Sequence, residues 1–158
     1  MESTGMDQVA FQIGDSTRLE APEDIAIDRK GDVWITGEFR DSIDLDGDGE
    51  HDLISNGYRD SYVAKFDSEG NLVRAYDFGN TEILLPDKGI GLATDSNDNA
   101  WVLGGFHGSI DIDGDGEDDL TSTDRDGHYL AKFNSEGTLF RPYRSAIGRL
   151  SIVNGARA

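Results

Sequence analysis

Short apolar clusters alternate with polar positions along the chain, and the pattern runs through it twice. In the first round the period of two predicts strands at Asp24–Asp28 (DIAID), Val33–Phe39 (VWITGEF), Tyr62–Asp67 (YVAKFD) and Leu72–Phe78 (LVRAYDF). The turn sequences DRKGD and DSEGN join the first pair and the last pair. They supply Asp, Asn and Gly, which tolerate positive φ or bond their own backbone. Along Val33–Phe39, the side chains of Val33, Ile35 and Phe39 point one way and those of Trp34 and Thr36 the other. Apolar weight on both faces means that the sheet needs a neighbour on each side.

Sliding the chain over itself by 67 positions brings about half of Ile25 to Tyr76 into coincidence with Leu92 to Tyr143. Trp34 meets Trp101, Gly37 meets Gly104, Phe39 meets Phe106, Lys65 meets Lys132, Gly70 meets Gly137 and Tyr76 meets Tyr143. This is a tandem duplication. The expected fold is all-β, with two four-stranded antiparallel propeller blades forming part of a β-propeller. Residues 23–80 make the first blade and 81–145 the second. Residues 1–22 are the end of a preceding blade and a connection, because Gln8–Phe11 falls 67 residues before Ala75–Phe78; residues 146–158 are a tail. A ring takes about four to eight blades, so further blades are expected from a longer protein or from association of copies.

Between the second and third strands of each round lies the pattern D-x-D-G-D-G-E-x-D. It places Asp44, Asp46, Asp48, Glu50 and Asp52 in one loop, and Asp111, Asp113, Asp115, Glu117 and Asp119 in the other. Carboxylates at alternate positions of a tightly turning loop converge on one point, which suits the six to eight hard oxygens that calcium takes. Glycine at the sixth position, Gly49 or Gly116, permits the sharp turn. Glu50 and Glu117 would offer backbone carbonyls, with their side chains as bystanders. A plain acidic turn would carry repulsion of about 1 kcal/mol per pair of carboxylates even in water. Magnesium is disfavoured by the number of protein oxygens and the lack of a phosphate partner. An EF-hand would put a glutamate at position twelve, where Ser55 and Ser122 stand, and would have helical flanks.

Composition narrows the functional classes. The chain has 158 residues, a formal charge of -18 and no cysteine, so disulfides, thiolate nucleophiles and Cys-based zinc sites are excluded. Its acidity repels nucleic acid and anionic lipid and favours cations and basic or neutral surfaces. No stretch approaches the roughly 20 apolar residues of a membrane span. The segment MESTGMDQ has no features of an export signal. Arg141 to Ala158 holds four arginines and no acid. It reads as an unstructured tail or as a basic arm that docks on an acidic neighbour. His51, His107 and His128 have no histidine counterparts in the other repeat, and no catalytic motif is present. The chain is therefore expected to be non-enzymatic. Trp34 and Trp101 are expected to pack between blades, and Lys65 and Lys132 to be surface charges near the acidic loops.

The stretches IAIDRKGDVWITGEF and DSYVAKFD, and more loosely LATDSNDNAWVLGGF and GHYLAKFN, resemble the bacterial seven-bladed β-propeller (SBBP) repeats. The resemblance covers about three quarters of the chain and implies fold more than function. The acidic loops are similar to those of integrin-type propellers, which implies Asp52 and Asp119 as bidentate calcium ligands. The expected function is a calcium-binding propeller repeat module, with calcium structural, serving as a surface scaffold or interaction domain for protein or glycan surfaces. Calcium sites of millimolar affinity would stand nearly empty in a cytosol, so an extracellular or cell-surface setting is expected. The alternatives are a non-catalytic fragment of a propeller enzyme, a lyase or glycoside hydrolase, and a truncated reading frame without its own function.

Overall fold

The computed structural model describes residues 10, 12–14, 20–81, 85–113, 115–122 and 127–140. Every regular element among them is a β-strand. Four strands, β1 (Glu20–Ile27), β2 (Val33–Phe39), β5 (Asp60–Phe66) and β6 (Leu72–Phe78), form an antiparallel sheet in the order β1-β2-β5-β6. A second antiparallel sheet has the order β11-β8-β7, from β7 (Lys88–Thr94), β8 (Ala100–Phe106) and β11 (Gly127–Phe133). Leu139 starts a further pairing through a bridge to Phe133. The expected strand at Gln8–Phe11, apart from Ala10, lies outside the described residues, as do the fourth strand of the second round past Phe140 and the basic tail.

Each long hairpin closes with one turn design. Asp28 Oδ1 accepts the amides of Lys30 and Asp32, Asp67 Oδ1 those of Glu69 and Asn71, Asp95 Oδ1 those of Asn97 and Asn99, and Asn134 Oδ1 those of Glu136 and Thr138. The fourth turn position has positive φ in each case and is glycine in three of them; Asp98 stands there at φ 61°. The Asp98 carboxylate reaches across to the other sheet. Its Oδ1 accepts Arg29 N and Nε at 3.1 and 3.0 Å, and its Oδ2 accepts Nη2 at 3.2 Å. Gly37 answers a different need, because a β-carbon there would lie 2.2 Å from the Ala21 carbonyl oxygen on β1.

The alternation along β2 sorts its side chains into two cores. Trp34 joins Val63 and Phe78 against Ala100, Val102, Phe106, Tyr129, Ala131 and Phe133 of the second sheet. Phe39, on the opposite face, joins Tyr62, Ala64 and Phe66 against Ile43, Leu45 and Leu53, with Ile13 packed on them. The first sheet is thus covered on both faces, as its pattern requires. Phe133 is the centre of the junction, with ring centroids 5.8 Å from Trp34, 5.3 Å from Tyr76 and 6.2 Å from Phe78. Polar links fix the register between the sheets: Leu92 N donates to Asp24 Oδ2 at 2.8 Å, and Lys88 Nζ lies 3.5 Å from Glu38 Oε2.

Lys65 departs from expectation. It is buried at the junction with its ammonium on Asp32 and on the Ser135 carbonyl of the second sheet, 5.6 Å from the centre of the Trp34 ring. Lys132 is half-buried, paired with Asp95 of the β7–β8 turn rather than with the acidic loop, and lies 4.8 Å over the Trp101 ring. Trp34 is buried between the sheets as expected, whereas Trp101 faces outward. The difference between the copies is one of place in the stack.

Candidate metal centre

Each acidic loop is the tip of a small hairpin inserted between long strands. The first is closed by β3 (Ser42–Ile43) and β4 (Leu53–Ile54), the second by β9 (Ser109–Ile110) and β10 (Leu120–Thr121). Asp52 N to Ile43 O and Asp119 N to Ile110 O, both 2.9 Å, extend these two-residue ladders into the loops. Ile43, Leu45 and Ile110 are fully buried and tie the tips to the cores. Such short strands leave no periodic signal in the sequence, and only isolated apolar residues inside an acidic run mark them.

Within the first tip the backbone winds around Asp44. Its Oδ1 accepts Gly47 N at 2.7 Å and its Oδ2 accepts Gly49 N at 2.9 Å. Asp46 Oδ1 accepts Asp48 N, and Asp48 Oδ1 accepts Glu50 N. Gly49 has φ 94° and open space where a β-carbon would project, so conformation and not crowding calls for glycine. In the second tip Asp111 Oδ2 accepts Gly116 N at 2.7 Å, Asp113 Oδ1 accepts Asp115 N and Asp115 Oδ1 accepts Glu117 N. The same succession of turns is built twice.

Two aspartate triads converge enough to hold a metal ion. Asp44, Asp46 and Asp48 form one; Asp111, Asp113 and Asp119 form the other; in each, carboxylate oxygens from all three lie within 4.8 Å of one another. Oxygens so spaced can share one cation at about 2.4 Å. Between them the triads use loop positions one, three, five and nine. Asp52, at position nine of the first loop, turns Oδ2 to the Leu45 amide at 2.7 Å. Burial pushes its carboxyl above the ordinary range, with the charges of Asp46, Asp44 and Asp48 adding to the effect. Asp119 Oδ2 accepts Ile112 N at 3.0 Å and Asp113 N at 3.2 Å. The side chains of Glu50 and Glu117 belong to neither triad and are exposed.

A further acidic pair is easily passed over in a chain with 32 acids. Asp60 and Asp87 are both buried at the junction of the sheets. Asp60 Oδ2 accepts Asn56 N at 2.7 Å, while its Oδ1 has no hydrogen-bond partner among the described residues. Asp87 Oδ1 accepts His107 N at 3.0 Å, and His107 Nδ1 lies 3.9 Å from the same oxygen. Burial pushes both carboxyls up to about 6, and the charge of Asp60 adds to the effect on Asp87. The signal that would have singled them out is asymmetry, since Gly127 and Glu20 occupy the matching places in the other copy. His107 is half-buried, whereas His51 and His128 are exposed.

No helix among the described residues is long and apolar enough to cross a membrane. No protein-family model and no curated protein matches the chain.

Proposed function

We propose that the chain is a calcium-binding, non-catalytic β-propeller repeat module whose two ions act structurally. The observation that carries this reading is the recurrence, one repeat apart, of three aspartate carboxylates gathered to one point at the tip of a short hairpin. The oxygen-only donor set favours a hard cation, and three or four carboxylates with backbone carbonyls favour calcium over magnesium, which keeps most of its water. The carboxylates in each loop repel one another, and an ion would convert that repulsion into cross-links between successive turns. Because Leu45 and Ile43 anchor the first tip in the core beneath it, order in the loop is coupled to order in the sheet. The sheets would be blades, in line with the resemblance to SBBP repeats. Their surfaces would serve as a scaffold or interaction site for protein or glycan partners outside the cell, where calcium is millimolar.

Calorimetric titration of the purified chain tests the reading directly. Two calcium ions per chain are expected, with Kd of about 0.1 to 1 mM, and weaker binding of magnesium. Absence of binding heat together with an unchanged melting temperature in about 5 mM calcium would refute it.

A further inference from the structure

We propose that the outward face of the second sheet docks the β1 side of the first sheet of another copy of this chain, repeating head to tail the part of the existing contact that β7 makes on the first sheet. The proposal rests on the reading of the chain as stacked repeat sheets and names their partner.

The two copies of the repeat present the same face to different surroundings. On the first sheet that face carries Trp34 and Val63, each 1% exposed beneath the second sheet. On the second sheet the matching residues are Trp101 and Leu130, 37% and 62% exposed, with Leu103 at 43% between them. Lys132 lies over Trp101 as Lys65 lies over Trp34. Lys65 completes its bonding on the Ser135 carbonyl of the neighbouring sheet. For Lys132 the matching carbonyl in a second copy is that of Ser68, which is exposed in its turn.

The complementary surface is open at the other end of the stack. Ile25 and Ile27 on β1 are 60% and 62% exposed. Their counterparts 67 positions on are Leu92 and Thr94, the residues through which β7 lies on β1. Leu92 N donates to Asp24, and the Thr94 hydroxyl donates to the Ile27 carbonyl at 3.3 Å. The other half of that face, Phe39, Tyr62 and Phe66, is already buried, so a docking copy presents β1 and leaves that half unchanged. The open faces differ from each other, so the contact is heterologous and leads to rings or open chains rather than a two-fold dimer.

Charge sets the conditions. A net charge of -18 on each copy opposes association. Two bound divalent ions would remove four of those charges, and salt screens the remainder. Association is therefore strongest with calcium at moderate salt.

Sedimentation velocity of the full chain, over about 10 to 300 µM in calcium and in chelator, tests the proposal. The expected result is a mass that climbs with concentration in calcium. Leu130→Lys on one face and Ile27→Lys on the other should each raise the concentration needed at least tenfold, while Ile54→Lys, an exposed apolar site off both faces, should leave it unchanged. A single-chain mass throughout would overturn the docking, and so would association that survives either face variant. Calcium binding is read separately by calorimetry, so two bound ions on a chain that never associates would end this proposal and leave the metal reading standing.

Discussion

The hydroxyls of Ser61 and Tyr129 lie 2.8 Å apart at the buried junction of the two sheets, and Ser61 Oγ also reaches the Phe78 carbonyl at 3.0 Å. Residues 68 positions apart are thereby held in a fixed register beside the aromatic cluster of Trp34, Tyr76, Phe78 and Phe133. A junction so built makes the two sheets one cooperative unit.

Phe133→Ala tests that unity. Removing a fully buried ring that touches three aromatic neighbours should cost about 3 to 5 kcal/mol. Urea unfolding followed by tryptophan fluorescence should show one transition at lower denaturant and not two. Two separated transitions would mean that the sheets unfold independently.

Lys65 and Lys132 offer an internal comparison, being the same residue at the same repeat position. Lys65→Ala should cost about 2 to 3 kcal/mol, because it strips Asp32 of its buried partner and removes the link to Ser135. Lys132→Ala, half-buried beside the partly exposed Asp95, should change stability by less than about 1 kcal/mol. Equal costs by chemical denaturation would contradict the assignment of one lysine to the junction and the other outside it.

Asp46→Asn should stabilise the chain only when the metal is absent. In chelator it relieves carboxylate repulsion while its Oδ1 still accepts the Asp48 amide, so the melting point should rise slightly, by the equivalent of about 1 kcal/mol. In calcium it removes a charged ligand and should weaken that site about tenfold, or about 1.4 kcal/mol. Melting curves in the two buffers provide the check: the gain seen in chelator should vanish in calcium, and an equal gain in both would count against an ion at Asp46.

Stability in chelator should rise as the pH is lowered from 7 to 5. Asp60 and Asp87 titrate at about 6 when folded, above the ordinary value near 3.9, so between those limits the folded chain binds more protons than the unfolded one. The cost of burying their charges is therefore fully present at pH 7 and falls away as the pH drops. Below about 4 the sign reverses, because hydrogen bonds from Asn71, Asn99 and Arg29 hold Asp67, Asp95 and Asp98 below the ordinary value. Asp60→Asn should stabilise the chain at pH 7 by on the order of 1 to 2 kcal/mol and flatten the slope. A melting point that falls steadily from pH 7 to 5 would contradict this account.

The long strands were legible in the sequence because alternation and Asp/Gly turns act locally: Val33–Phe39 and Leu72–Phe78 stand at their expected boundaries. The apolar weight on both faces of β2 also foretold cover on both sides. Position within the stack left no trace, since Trp34 and Trp101 read alike and only the neighbouring sheet decides which is buried. The clamps around the acidic loops were illegible for another reason. Two-residue strands such as Ser42–Ile43 are too short to show a period, and it is their hydrogen bonds, not their composition, that define them. The metal-site residues were foreseen as five per loop; the triads gather three from each, in different combinations.

Twenty residues separate β2 from β5, and within them the backbone ladder of the small hairpin spans two residues on each side. Buried Ile43, Leu45 and Leu53 hold the base of that connection, so without an ion it is the exposed tip, residues 47–50, that opens locally at little cost while the long strands stay paired. Proteases cleave such openings. Supply of the ion would thus set how long the molecule survives in a protease-rich environment, with the first cut expected between Asp46 and Glu50.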